Sequence, residues 1–116
     1  YHIHTDAIRD NLIPPDLSKI KQNLVYANEA DLLNLALFGK TAKQWRDENT
    51  DIEGNIRDYA TIEQLIVLSN LESLNSVFIK QDISGEERLI LLNKTAIEQM
   101  RVLISHSVTK KLQEHK

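Results

Sequence analysis

The chain repeats one local pattern: a serine, threonine or asparagine suited to an N-cap, followed by apolar residues three and four positions apart. Thr61 and Gln64 form the clearest case, because the threonine hydroxyl can accept from the Gln64 backbone N–H while the glutamine side chain reaches back to the cap. Thr41 and Ser84 begin similar signals, and Asn28 begins a fourth. The repetition predicts an all-α fold.

The two longest predicted helices lie in the C-terminal half. The first follows Thr61, and its apolar side chains occupy more than one stripe, so we predict that it is the buried centre of the fold. These side chains are Ile62, Leu65, Ile66, Leu68, Leu71, Leu74, Phe78 and Ile79. The second follows Ser84, reaches about Lys110 and has one apolar face. That face consists of Leu89, Leu92, Ala96, Met100 and Leu103, with Ile97 and Ile104 alongside.

Shorter helices are predicted upstream. One begins at Asn28 and is ended by Gly39, which can take the left-handed conformation of a C-terminal cap. The next begins at Thr41 and carries Trp45. A polar loop is expected over residues 47–54 because acidic and turn-forming residues follow one another there.

The N-terminal part is less regular. The pair Pro14-Pro15 breaks the chain, and residues 17–24 predict one more short helix. The alternating apolar residues of the first dozen positions fit either a short strand or a linker. We therefore expect a linker or edge segment at 1–13, a single helical domain at 14–112 and a frayed tail at 113–116. The domain is predicted to be a small bundle of about five helices, with two long helices at its C-terminal end.

Composition limits the class of protein. With 116 residues, 41% of them hydrophobic, one domain can bury a core without disulfides or metals. The absence of cysteine excludes a disulfide scaffold and thiolate chemistry and fits a reducing compartment. We expect a cytoplasmic protein with no membrane contact, since no apolar run is long enough to span a bilayer. Because the sequence starts at Tyr1, we also expect it to be part of a longer protein.

The charge distribution argues against a strongly basic nucleic-acid binder. The formal net charge is −3, and residues 1–58 carry seven basic and ten acidic side chains while residues 59–116 carry seven of each. Lys110 and Lys111 form a basic end on the last predicted helix. Such lysines complement the helix dipole, so their position is explained without a phosphate partner.

No set of side chains predicts catalysis, a metal site or a cofactor. His2 and His4 could share one face of an extended segment, but a third metal ligand is missing, which favours a linker. The serines lie within predicted helices, and three glycines are too few for a phosphate-binding loop. We therefore predict that the chain is not an enzyme. An unrecognised enzyme stays as the third alternative and would need a polar cleft with perturbed ionisable groups.

Trp45, Arg46, Arg57 and Tyr59 are the interaction candidates, together with Lys110 and Lys111. Tryptophan, tyrosine and arginine are enriched in interaction hot spots, and these four flank an acidic loop. The alternative is that both aromatics are buried against the central helix while the arginines pair with the nearby acids. The second interpretation is favoured, because burial and local ion pairing require no partner.

Several phrases of the sequence resemble the C-terminal region of KilA-N domain proteins, which are phage- and prophage-type DNA-binding regulators. The most distinctive are TAKQWR at 41–46 and GNIRDYA at 54–60. Shorter matches in the same order are ADLLN at 30–34, ALFG at 36–39, LESLN at 71–75, ERL at 87–89 and AIEQM at 96–100. The likeness covers nearly the whole chain from about His4.

In such proteins the KilA-N domain that binds DNA lies N-terminal to this stretch. The resemblance therefore implies a regulatory, DNA-associated protein, with DNA bound through a domain that this stretch lacks. The expected function of this part is self-association or binding of a protein partner through the apolar face of the long last helix, the stripe from Leu89 to Ile104. The rival is direct nucleic-acid contact by Arg46, Arg57 and the Lys110–Lys111 end, which rising salt would weaken steeply.

Overall fold

The computed structural model describes residues 12–15 and 28–114, with side chains as far as His106. Four α-helices and one 3-10 helix follow in order: α1 (Glu29–Phe38), α2 (Ala42–Glu48), the 3-10 helix (Ile56–Tyr59), α3 (Ile62–Lys80) and α4 (Gly85–Glu114). No β-strand occurs in these ranges. The all-α bundle and its two long C-terminal helices are confirmed, and four α-helices lie within the described ranges. The predicted helix at 17–24 and nearly all of the N-terminal linker or strand lie outside the described residues.

The helices begin where the local signals predict. Thr41 and Thr61 each form a complete capping box with the residue three positions on. Asn28 accepts from the Asp31 backbone N–H at 2.8 Å, and Ser84 accepts from the Glu87 N–H at 3.2 Å. These side chains satisfy backbone donors that have no partner in the first turn of a helix.

The ends of the shorter elements differ slightly from the prediction. Gly39 ends α1 with φ of 76°, the left-handed conformation expected for it. Helix α2 continues to Glu48, so the predicted loop begins two residues late, at Asn49. Helix α4 continues past Lys110 to Glu114.

Helix α1 is the buried centre of the fold. Six consecutive residues, Leu32 to Leu37, are buried, so this helix is covered on every side along most of its length. Helices α3 and α4 pack against it and against each other. The predicted apolar face of α4 is confirmed, since Leu89, Leu92, Ala96 and Met100 are all buried. The expectation that this stripe is available to a partner is wrong as far as Met100, because it packs in the core. The main core consists of these residues with Leu32, Leu33, Leu35, Ala36, Leu37, Val67, Leu68 and Leu71.

The prediction that α3 is central is wrong. Ile62 is 75% exposed and Leu65 is 42% exposed, and Ile66 and Ile79 are also exposed. Only one face of α3 is buried, through Val67, Leu68 and Leu71 among its apolar residues. The physical reason is that α1 already fills the position between the long helices. The opposite face of α3 therefore has no helix of the described chain against it.

A polar network joins α1, α3 and α4 at one end of the bundle. Arg88, which is buried, donates to both carboxylate oxygens of Glu29, at 2.5 and 3.0 Å, and to Asn75 Oδ1 at 2.9 Å. Asn75 donates in turn to Glu29 at 2.9 Å, and Arg88 Nε donates to the Ile83 carbonyl at 3.0 Å. A paired, bidentate arginine is the arrangement in which a buried guanidinium is tolerated.

A second buried amide joins the N-terminal segment to the core. Asn93 Nδ2 donates to the Pro15 carbonyl at 3.1 Å and to the Ala36 carbonyl at 3.0 Å. Pro14 is buried and Leu12 packs against the main core. The segment at 12–15 is therefore held on α4 near the end of α1.

Two leucines of α3 test which of its faces is in the core. Leu71→Ala removes a fully buried side chain and should lower the free energy of unfolding by about 2 to 5 kcal/mol, through lost burial and a cavity. Leu65→Ala is the matched control on the same helix, and we expect a loss below about 1 kcal/mol because much of that side chain is already in water. Urea unfolding followed by circular dichroism measures both. Equal losses would contradict the assignment of the buried face.

The Glu29–Arg88 pair should make stability depend on pH. The Arg88 guanidinium lowers the pKa of the Glu29 carboxyl below its ordinary value of 4.5, the Asn75 amide adds to this effect, and slight burial opposes it. Because the folded-state pKa is the lower one, the stabilisation is complete above pH 4.5 and is lost as the pH falls below it. Glu29→Gln should reduce stability at neutral pH and flatten its acid dependence.

Urea midpoints between pH 3 and pH 7 would measure the effect of Glu29→Gln. Asp31→Asn is the control, since it removes an acid from the same helical turn without touching Arg88. If both variants keep the acid dependence of the unchanged protein, the Glu29–Arg88 pair does not cause it.

Candidate functional site

Trp45 is the centre of a small second core. It is 1% exposed and is clustered with Ile52 and Ile56, while Phe38 and Tyr59 pack against the cluster. The predicted burial of Trp45 is confirmed, but its cover comes from the loop and the 3-10 helix rather than from α3. Its indole N–H has no hydrogen-bond partner among the described residues.

Arg46 holds the loop that covers Trp45. Its guanidinium donates to the carbonyls of Asn49 at 3.2 Å and Ile52 at 2.5 Å, and also to that of Gly54. The same guanidinium lies 5.0 Å from the centre of the Trp45 ring. The expectation that this arginine neutralises acids of the loop is therefore wrong, because its donors are directed to backbone carbonyls that the turn leaves without helical partners.

Tyr59 closes the other side of the loop. Its ring centre lies 5.4 Å from that of Trp45, and its hydroxyl donates to the Glu53 carbonyl at 2.6 Å. Gly54 has φ of +95°, and a Cβ there would lie 2.7 Å from Asp58 Oδ2. The local conformation thus requires glycine at this position.

The other interaction candidates are distributed differently. Arg57 is partly exposed and lies 3.7 Å from Glu72 of α3, a pair that links the 3-10 helix to the bundle. Two of the acids expected to pair with the arginines pair with lysines instead: Asp47 with Lys43 and Glu48 with Lys40. The side chains of Lys110 and Lys111, and both His2 and His4, lie outside the described residues.

The exposed apolar side chains of α3 and α4 form a feature that the sequence analysis did not separate from the core. On α3 they are Ile62, Leu65, Ile66, Val77 and Ile79, and on α4 they are Ile90, Leu91 and Val102, the last 56% exposed. An apolar pattern that covers a whole helix could have been divided into two faces, one for the core and one for another surface. Sequence periodicity gives no means of choosing between a second face and a central position.

One hydrogen bond sets the register of the two long helices. Asn70 Nδ2 donates to Gln99 Oε1 at 3.0 Å, and the connection at 81–84 is short, so the helices run antiparallel with these residues side by side. Ile62, which begins α3, is eight residues before Asn70 and therefore lies at the level of residue 107. Because α4 continues to Glu114, its last two turns extend beyond the start of α3.

The described surface carries an open depression but no cluster of metal ligands. Within the described ranges no group of three or more His, Cys, Asp or Glu side chains could hold a metal ion, and no helix is long and apolar enough to cross a membrane. An open depression is lined by Arg101, Val102, Ser105 and His106 on α4. Val102 is part of it, so an exposed apolar side chain lies beside a basic one there.

Arg46 and Arg57 can be compared directly because only the first serves the loop. Arg46→Ala removes the donors to three carbonyls and should lower the free energy of unfolding by about 2 kcal/mol, the usual effect of losing hydrogen bonds from a charged group. Arg57→Ala removes an exposed pair and should cost less than about 1 kcal/mol. Urea unfolding followed by Trp45 fluorescence reports on both. A larger loss for Arg57→Ala would mean that the loop does not depend on Arg46.

Comparison with protein-family models, curated proteins and solved structures found no match to this chain. The likeness to the C-terminal region of KilA-N proteins therefore stays a prediction that rests on the sequence phrases quoted above.

Proposed function

We propose that this chain is a non-enzymatic interaction and oligomerisation module of a KilA-N-type phage or prophage DNA-binding regulatory protein. The observation that carries the proposal is the set of exposed apolar side chains on α3 and α4, which the core does not use. An exposed apolar surface of this kind on a small helical domain favours contact with another protein.

The surroundings of Trp45 support this choice by excluding the competing surface. Trp45 is buried, Arg46 donates to the loop backbone, and Tyr59 donates to Glu53. These three side chains maintain the conformation of residues 49–59 and have little left to offer a partner. We therefore propose the long helices, rather than the tryptophan loop, as the interaction surface.

The electrostatics also support contact with protein rather than with phosphate. Arg88 is buried against Glu29, Arg57 lies beside Glu72, and Lys40 and Lys43 pair with acids of α2. Pairing of basic with acidic side chains weakens the positive field that would attract a nucleic acid. In a protein of the KilA-N type, DNA would instead be read by the domain that precedes this region.

Binding to duplex DNA separates this function from its rival. We expect the chain to bind a fluorescent duplex with a Kd no tighter than about 10⁻⁴ M at physiological salt, the weak end of non-specific binding. Fluorescence anisotropy at low and moderate salt measures the affinity, and light scattering on the same samples measures the mass of the chain. Micromolar, sequence-selective binding by a chain that stays monomeric would overturn the proposed function.

A further inference from the structure

Exposed apolar residues on the two long helices lie in pairs across the seam marked by Asn70 and Gln99. Ile66 is four residues before Asn70 and Val102 three residues after Gln99, so in antiparallel helices the two lie at the same level on the solvent side. In the other direction, Val77 is seven residues after Asn70 and Leu91 eight before Gln99, which places them at a common level too. All four side chains are exposed.

Between these two apolar pairs the exposed side chains are polar, and those on α3 are small. Ser69 and Ser73 of α3 lie on the same side as Ile66, and both are exposed. Lys94 and Glu98 occupy the corresponding stretch of α4 and are exposed as well. We call the surface made by these eight residues the outer face: Ile66, Ser69, Ser73, Val77, Leu91, Lys94, Glu98 and Val102.

The outer face is complementary to itself. Ile66 and Val77 are eleven residues apart, and so are Leu91 and Val102. Consider a twofold axis that lies in the plane of the outer face and runs perpendicular to both helices. A half turn about this axis exchanges the two ends of the outer face. It therefore places apolar residues on apolar residues along α3 and along α4 at once, which is the self-complementarity that a twofold dimer requires.

The charges of the outer face fit the same operation. The half turn that brings Leu91 against the partner's Val102 also brings Lys94 against the partner's Glu98, and the reverse contact is made at the same time. Within one chain the two charges are four residues apart, but the lysine precedes the glutamate, which is the weaker order in a helix. Among the described ion pairs neither residue is paired within its own chain.

We propose that the outer face is the contact with a second copy of this chain, with α3 antiparallel to the partner's α3 and α4 antiparallel to the partner's α4. The inference rests on the proposed function and specifies its partner and its geometry. Small serines in the middle of the face let the two α3 helices approach closely, while the apolar pairs close both ends.

The size of the face predicts a weak dimer. The outer face spans twelve residues of each helix, about 18 Å, and two neighbouring helices are about 20 Å wide, so the contact buries on the order of 700 Å² in total. That area is below the usual range for stable complexes. We therefore expect a Kd on the order of micromolar or above, with association seen at high protein concentration.

Introduced cysteines can test the arrangement directly, because the chain has none of its own. A mixture of Leu91→Cys and Val102→Cys chains, oxidised mildly at high concentration, should form the mixed disulfide faster than either variant links to itself. Glu53→Cys, in the exposed loop far along the chain from α4, is the control for random collision. Mass spectrometry of the products under non-reducing conditions identifies each species.

Charge exchange provides a second measurement on the same face. Lys94→Glu and Glu98→Lys each place like charges opposite one another twice per dimer, so either variant should raise the dimer Kd about tenfold. The double variant restores opposite charges and should return to the original Kd. Sedimentation equilibrium gives the constants, and circular dichroism checks that the variants are folded.

The outcomes separate this arrangement from the proposed function. Faster self-linking of Val102→Cys would show association of another symmetry, which overturns the antiparallel arrangement and leaves an oligomerisation module. Mixed linking no faster than the Glu53→Cys control, with one mass at all concentrations, would overturn the second copy as the partner. Failure of the proposed function is read separately, from the duplex titration.

Discussion

The burial of six consecutive residues of α1 is the constraint from which the rest of the arrangement follows. A ten-residue helix is too short to be stable alone, and this one has six consecutive buried residues, so it must be enclosed by other elements. Two long antiparallel helices supply that enclosure, each giving one face. The remaining faces of these two helices are not used by the core. On α3 that face carries several exposed apolar side chains.

Two arginines show how buried or partly buried guanidinium groups serve this small fold. Arg88 joins three helices through Glu29 and Asn75, and Arg46 gathers the carbonyls of a turn that has no regular ladder. In both cases a planar group with five donors satisfies acceptors that would otherwise lose their hydrogen bonds to water. The aromatic and arginine composition around Trp45 is thus explained by the stability of residues 49–59, although the same composition is typical of binding sites.

The parts of the fold that the sequence could predict are those decided over three or four residues. The caps at Thr41 and Thr61 and the left-handed end at Gly39 depend only on neighbouring backbone groups, and all three are as predicted. The choice of α1 over α3 as the centre depends on which helices meet, and apolar periodicity does not contain that information. The Glu29–Arg88 pair joins residues 59 positions apart, so no local pattern indicates it. Similarly, the exposed apolar residues of α3 could be distinguished from its core residues only after α1 had been placed.

Asn93 has a mechanical consequence beyond its role in packing. One amide group holds the Pro15 carbonyl and the Ala36 carbonyl at the same time, so both backbone segments are attached to a single side chain in the first third of α4. Tension applied to the backbone at Pro15 would reach α4 through that amide without passing along α1. Glu98 is only five residues further along α4, on a rigid helix. The placement of the segment at 12–15 and that of the end of α1 therefore depend on the same amide, five residues before Glu98.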